Sequence, residues 1–323
     1  MFSGGLDSVI ATHLLIQQGL DVTALHFVLP FQSGIGLRHQ TVRGYAERLG
    51  VPLEIVEEGG EFLEMVNNPS FGYGKNANPC VDCRIHRLEK AAEIMRERGA
   101  SFLATGEVVG QRPMSQRREC LDTVMRKSGL EGYLLRPLSA QILPPTVPEE
   151  KGWVDRSKLL GIKGRGRKDQ FAYAKLHGLA HASPGGGCLL TEKETGRRFN
   201  DLRSHEPEFS LGDFKLLAFG RHFRLGDRVR LVIGRTYSEN LYLEKLTGGE
   251  DFRIIMADTL GPTGIVRGPA TDEELKTAAS LVARYSKERE QSEVRVRLED
   301  AARKTTVYTV VPASEELCTA LRI

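Results

Sequence analysis

The sequence predicts an α/β protein, a parallel sheet covered by helices, followed by a smaller α+β tail. Three observations carry this: helix and strand patterns alternate through the first third, glycines close the helices, and short strand-like runs gather beyond Ser210. Val9 to Gln18 reads as an apolar helix ended by Gly19, and Val22 to Leu29 as a strand stopped by Pro30. Val42, Tyr45, Ala46 and Leu49 fall at helical spacing before Gly50, and Leu53 to Val56 is a short strand. Ile85, Leu88, Ala92 and Met95 mark a helix closed by Gly99, after which Phe102 to Ala104 runs into Thr105-Gly106. Residues 107–170 are less regular, with turn signals at Arg136-Pro137, Pro144-Pro145 and Pro148. Gly161 to Arg167 is a glycine-and-base-rich loop, Phe171 to Leu176 opens a helix, and Pro184-Gly185-Gly186-Gly187-Cys188 is a backbone-dominated turn. In the tail, Phe214 to Ala218, Val229 to Ile233, Phe252 to Met256 and Thr306 to Val311 read as strands, and Asp272 to Ser286 and the region of Glu315 as helices. Two domains are expected, 1–210 and 211–323.

Composition narrows the class. The chain has 323 residues, 40% apolar and 27% charged, which is ordinary globular usage. No apolar run approaches a membrane span, and no basic-then-apolar signal opens the chain. Five scattered cysteines, an odd number, are not a secreted disulfide framework, so a cytoplasmic location is expected. The net charge of +3 hides an asymmetry: residues 1–80 carry −4 and residues 151–200 carry +7.

Ser3-Gly4-Gly5-Leu6-Asp7-Ser8 lies between the apolar stub Met1-Phe2 and an apolar helix. Its glycines let successive N–H groups face one concavity, and the helix end adds free amides and a positive dipole. Ser3 and Ser8 add hydroxyls, and Asp7 beside an anion suits Mg²⁺ or a basic partner. The plain alternative is a capped glycine turn. The segment resembles the Ser-Gly-Gly-x-Asp-Ser signature of the N-type ATP pyrophosphatases, or PP-loop proteins. That resemblance implies a doubly wound parallel sheet of the adenine nucleotide alpha hydrolase type, with ATP at the strand ends. It also implies that His26, Phe27, Thr105 and Gly106 lie around the nucleotide. Only two residues precede Ser3 where a strand needs about 5–6, so the natural start is expected upstream or the chain to be trimmed.

Asn78-Pro79-Cys80-Val81-Asp82-Cys83 puts two thiols one turn apart before a helix, where a lowered thiol pKa is expected. With Cys188 they suit a [4Fe–4S] cluster with one free iron, ahead of a persulfide pair resolved through a disulfide, ahead of zinc. Cys120 and Cys318 match no motif and are read as structural. A PP-loop followed by Cys-x-x-Cys and a late cysteine resembles the tRNA thiouridine synthases over roughly residues 1–200. Asn78–Arg84, Thr105–Gln116, Arg136–Ala140 and Gly185–Thr191 carry the likeness.

Arg112, Arg117, Arg118, Lys163, Arg165, Arg167 and Lys168 are cations suited to phosphates of tRNA, or else a solvated face. Gln111, Gln116, Gln170 and Lys175 are weaker neighbours of the site. From Asp213 onward the chain resembles the NFACT-R type of RNA-binding domain, with Arg221, His222, Arg224, Arg228, Arg230 and Arg235 as contacts. The expected activity is that of an ATP-dependent tRNA sulfurtransferase, with Cys80, Cys83, Cys188 and Asp7 at the chemistry. Its partners are tRNA and a sulfur donor, either sulfide or a cysteine desulfurase or carrier protein; assembly as a homodimer is left open, and no membrane is expected. The rivals are a PP-loop enzyme adding ammonia to a small molecule with structural zinc, and an RNA-binding protein with a vestigial nucleotide loop.

Overall fold

The computed structural model describes residues 1–32, 36–183 and 188–323, with the side chains of residues 32 and 36–39 left aside. The turn expected at Gly185–Gly187 lies outside the described residues. The chain forms two compact units, Met1–Cys188 and Leu189–Ile323. Residues 189–210, given above to the first domain, therefore fold with the tail.

The first unit runs α1 (Leu6–Ile16), β1 (Ala24–Val28), α2 (Gly36–Arg48), β2 (Leu53–Glu57), α3 (Gly60–Asn67), α4 (Cys80–Glu97), β3 (Leu103–Ala104), α5 (Arg118–Lys127), β4 (Leu134–Leu135), α6 (Val147–Glu150) and α7 (Lys168–Leu176). β1 pairs in parallel with β2, Ala24 facing Leu53, and β3 pairs in parallel with β4. The Met1-Phe2 stub runs between these pairs: the Phe2 N–H donates to the Leu25 carbonyl and the Met1 amine to that of Ala104, both at 2.6 Å. Gly19, Gly50 and Gly99 all take positive φ, so the glycine stops act as read.

Helix α1 is apolar on nearly every side because it is packed on two. Leu6, Ile10 and Leu14 join Leu135, Leu138, Val154 and Ala174, while Val9 joins Ala24, Val42 and Ala46. That burial holds the loop ahead of it in place. Helix α3, absent from the sequence reading, buries only Phe62 and Val66.

The second unit runs α8 (Lys193–His205), α9 (Leu211–Leu216), β5 (Arg221–Gly226), β6 (Val229–Ile233), α10 (Tyr237–Leu246), β7 (Phe252–Met256), β8 (Gly264–Arg267), α11 (Asp272–Arg284), β9 (Val294–Glu299), β10 (Thr305–Val310) and α12 (Glu315–Leu321). Six strands form an antiparallel sheet in the order β10-β9-β7-β8-β6-β5. Ala278, Leu281 and Val282 of α11 fill its core with Leu231, Ile254 and Val296. The strand expected at Phe214–Ala218 is instead the end of α9. A capping box decides it: Ser210 Oγ accepts from the Asp213 N–H at 3.2 Å, and Asp213 Oδ2 accepts from the Ser210 N–H at 2.8 Å.

Candidate active site

The loop is assembled from its own hydroxyls and by close approach of distant backbone. Gly4 has φ +70°, and a Cβ there would lie 2.8 Å from the Tyr45 ring. Ser8 donates from Oγ to the Gly5 carbonyl at 2.8 Å and accepts from the Ser3 N–H at 3.2 Å. Gly106 lies flush against the start of α1, where a Cβ would meet Asp7 C and Ser8 N at 2.6 Å. The segment leading toward Cys188 is stitched to the same place, since the Ala182 N–H donates to the Gly4 carbonyl at 2.8 Å.

Asp7 points inward. Its Oδ2 accepts from Gln111 Nε2 at 2.6 Å, and Gln111 Oε1 in turn accepts from the fully buried Gln170 Nε2 at 3.0 Å. Asp7 Oδ1 is buried with no hydrogen-bond partner. An orphaned carboxylate oxygen in the first turn of α1 fits a bound cation, and the residues present therefore fit a nucleotide with Mg²⁺. Gln170 and Gln111, weak expectations from sequence, belong to this network; Lys175 is exposed on α7.

His26 Nδ1 lies 2.9 Å from the Phe2 carbonyl. Phe27 is 6% exposed and packs with Leu25 and Ala91, so its ring is taken up in the core. The parallel bridge between Val109 and Lys163 joins the segment bearing Arg112, Arg117 and Arg118 to the Lys163–Lys168 loop. All these cations are exposed except Arg167, which is half-buried.

Cys80 and Cys83 occupy the first turn of α4, and Cys80 Sγ accepts from Asn78 Nδ2 at 2.9 Å. Burial pushes the Cys83 thiol up, with the Cys80 and Glu58 charges adding and Arg87 and Arg84 opposing. At Cys83 the lowered pKa expected at a helix start is thus reversed by desolvation. Cys188 borders the undescribed segment. Among the described residues no three Cys, His, Asp or Glu side chains are grouped as a metal would need.

Sequence reading missed a shell of buried charge around the thiols. Glu107, 5% exposed, bonds Arg136 Nε at 2.9 Å and also pairs with Arg84; burial holds both arginines down at about 10, helped for Arg84 by the Arg112 charge. Glu58, 4% exposed, faces His86 at 3.0 Å, Lys90 at 3.3 Å and Arg87 at 3.7 Å. Burial would raise the Glu58 carboxyl, but the His86 hydrogen bond and the three positive neighbours hold it below its ordinary value. The available signals were Arg84 directly after Cys-x-x-Cys and Glu107 directly after Thr105-Gly106.

In the second unit, three of the expected RNA contacts are committed inward. Arg230 is 1% exposed and pairs with Glu206 and Asp213 at 2.7 Å, Arg224 pairs with Asp201 and Glu206, and His222 is buried. Arg221 and Arg235 line a concavity, and Arg228 is exposed.

Residues 220–321 match the family described as NFACT protein RNA binding domain. The tRNA-specific 2-thiouridylase MnmA of Trichlorobacter lovleyi is 26% identical over 294 residues, 83% of this chain and 79% of that protein. Proteins of the same name from a Bradyrhizobium species and from Syntrophotalea carbinolica are 30% and 36% identical, over 41% and 32% of this chain. Those two matches span only 37% and 32% of the relatives' own length. Among solved structures, the C-terminal part of the fibronectin/fibrinogen-binding protein of Streptococcus suis aligns at 14% identity and a TM-score of 0.31, covering 75% of this chain and 90% of that one, a likeness too slight to argue from. Residues 1–148 match the family described as tRNA methyl transferase HUP domain, so each of the two family matches covers less than half of the chain.

Proposed function

We propose that the chain is a cytoplasmic, ATP-dependent tRNA sulfurtransferase. The observation that carries this is the first turn of α1, where Gly106 lies against Asp7 and Ser8 and the Asp7 carboxylate is fixed by Gln111. The names of the relatives supply the substrate class, and the parallel strand pairs beside the Met1-Phe2 stub support a doubly wound sheet.

Ser3, Gly4, Gly5, Asp7 and Ser8 hold the pyrophosphate of ATP through amides, hydroxyls and the start of α1. Asp7 would help hold Mg²⁺, which would supply charge neutralisation for the leaving pyrophosphate. His26, the main chain at Phe27, Thr105 and Gly106 flank the rest of the nucleotide. Arg112, Arg117, Arg118, Lys163, Arg165, Arg167 and Lys168 contact tRNA phosphates and position one uridine. Its carbonyl oxygen attacks the α-phosphorus and pyrophosphate leaves. The terminal sulfur of a persulfide on one of Cys80, Cys83 and Cys188 attacks the activated carbon, and AMP departs with the original oxygen. A second cysteine thiolate then attacks the inner sulfur, closing a disulfide and leaving the thiocarbonyl. Each turnover consumes one sulfur from a donor and two electrons from a thiol reductant. No general base is required of the protein, because sulfur anions are already strong nucleophiles.

The test is incubation of the full chain with ATP, Mg²⁺, unmodified tRNA, a persulfide donor and a thiol reductant. The expected result is equimolar AMP and thionucleoside, both lost in Asp7→Asn. AMP release that needs ammonium and no tRNA would replace this reading with the small-molecule one.

A further inference from the structure

The concavity of the second unit has a volume of about 440 Å³ and is lined by Arg197, Arg198, Arg221, Arg235 and Arg322, against one carboxylate side chain, Glu194. Two of the five arginines are compensated. Arg235 Nη2 bonds Glu239 Oε1 at 2.7 Å, and Arg197 lies 3.5 Å from Glu194. The other three have no carboxylate within ion-pair distance among the described residues. Arg198 is held instead by the carbonyls of Leu217 at 2.9 Å and Gly220 at 3.1 Å. Arg221 stacks over the Tyr285 ring at 4.4 Å.

Such convergence is unfavourable without a counter-charge. The pKa values of Arg198 and Arg221 are both lowered, by burial first and by the Arg235 and Arg322 charges, against Glu194 and Glu239 at Arg198 and Tyr285 and Glu239 at Arg221. His222 Nε2 lies 2.8 Å from the Phe219 carbonyl behind the concavity. The carbonyl-held Arg198 fork, beside Arg221 and Arg322, matches the charge and geometry of a phosphate.

We propose that this concavity binds a terminal phosphate, a phosphomonoester dianion presented by the 5′ end of an RNA or by a free nucleotide. An internal phosphodiester fits less well: it carries a single charge, and its chain must leave on both sides, which suits a groove rather than a hollow. The site lies wholly within the second unit and is independent of the reaction proposed for the first.

The experiment measures binding of a short oligoribonucleotide to the full chain, with a 5′ phosphate or a 5′ hydroxyl, by fluorescence anisotropy, and repeats it for the double variant Arg197→Gln, Arg322→Gln. Both positions are exposed, and matching circular dichroism and melting curves establish that the variant folds. The phosphorylated RNA should bind on the order of tenfold tighter than the hydroxyl form, since the hydroxyl form cannot make the charge-assisted bonds, and the variant should lose that preference. Displacement by AMP would make the ligand a free nucleotide; preference without displacement by AMP would make it an RNA end. Equal binding of the two RNAs together with no binding of AMP, or a preference unchanged in the double variant, overturns the proposal.

Discussion

Gly106 has no side chain because the main chain of Asp7 and Ser8 fills the space where one would stand. In Gly106→Ala either the strand end or the first turn of α1 must move, so the ATP dissociation constant should rise at least about tenfold, near 1.4 kcal/mol. Isothermal titration with ATP and Mg²⁺ checks this, and unchanged affinity would mean the loop is not the nucleotide site. Glu107→Gln leaves the buried Arg136 and the half-buried Arg84 short of their carboxylate, and loss of a buried ion-pair partner costs about 3–5 kcal/mol. Urea unfolding should show that drop. Asp213 gives a pH signature. Burial would raise its carboxyl, but the Ser210 hydrogen bond and the Arg230 and Arg267 charges bring it down from 3.8 to about 2. A carboxyl depressed in the folded state stabilises above its unfolded pKa and loses that contribution as pH falls through the folded one. Between pH 4 and 2 the wild type should therefore lose stability faster than Asp213→Asn, as read by urea midpoints. At this scale the loop was legible, because glycine, serine and aspartate before an apolar helix leave few other uses. The Gln111–Gln170 contact was not, because 59 residues separate the two amides and neither sits in a pattern.

Among the elements, α8 separates the expected boundary from the observed one. Phe199 of α8 is fully buried, with its ring centroid 6.0 Å from that of Phe209 and 6.1 Å from that of Phe214, and Asp201 pairs with Arg224 of β5. Deleting a buried phenylalanine costs about 3–5 kcal/mol, so a fragment 189–323 should unfold cooperatively while 211–323 should melt far lower or without a clear transition. Comparable thermal melts for the two would return the boundary to residue 210. The helices of the first unit were readable from apolar spacing and glycine stops. In the second, Val229–Ile233 and Phe252–Met256 were read as β6 and β7 stand, whereas β5 was missed: it carries Arg221, His222 and Arg224, so charge masks the alternation that marks a half-buried strand. The Phe214–Ala218 run failed for another reason. A five-residue apolar stretch is ambiguous until its cap is recognised, and Ser210 with Asp213 was the overlooked cap.

Over the whole molecule, the −4 of residues 1–80 and the +7 of residues 151–200 assign different work to different stretches. The acidic stretch contains the loop proposed for the nucleotide, so an anion there would have to be held by oriented amides rather than by net charge. On the same proposal the basic stretch would supply the long-range attraction, and tRNA affinity should fall steeply with salt. In the triple variant Lys163→Ala, Arg165→Ala, Lys168→Ala the log–log salt slope should shrink by about 2, at roughly 0.7–0.9 for each phosphate no longer neutralised, while ATP binding is unchanged. An unaltered slope would assign these exposed cations to solvent. The bond from Ala182 to the Gly4 carbonyl has a reach beyond its own energy. It ties the loop proposed for the nucleotide to the chain that leads to Cys188. Under that proposal, whatever factor ATP imposes on the equilibrium between Cys188 and a small disulfide, the resulting mixed disulfide must impose the same factor on ATP.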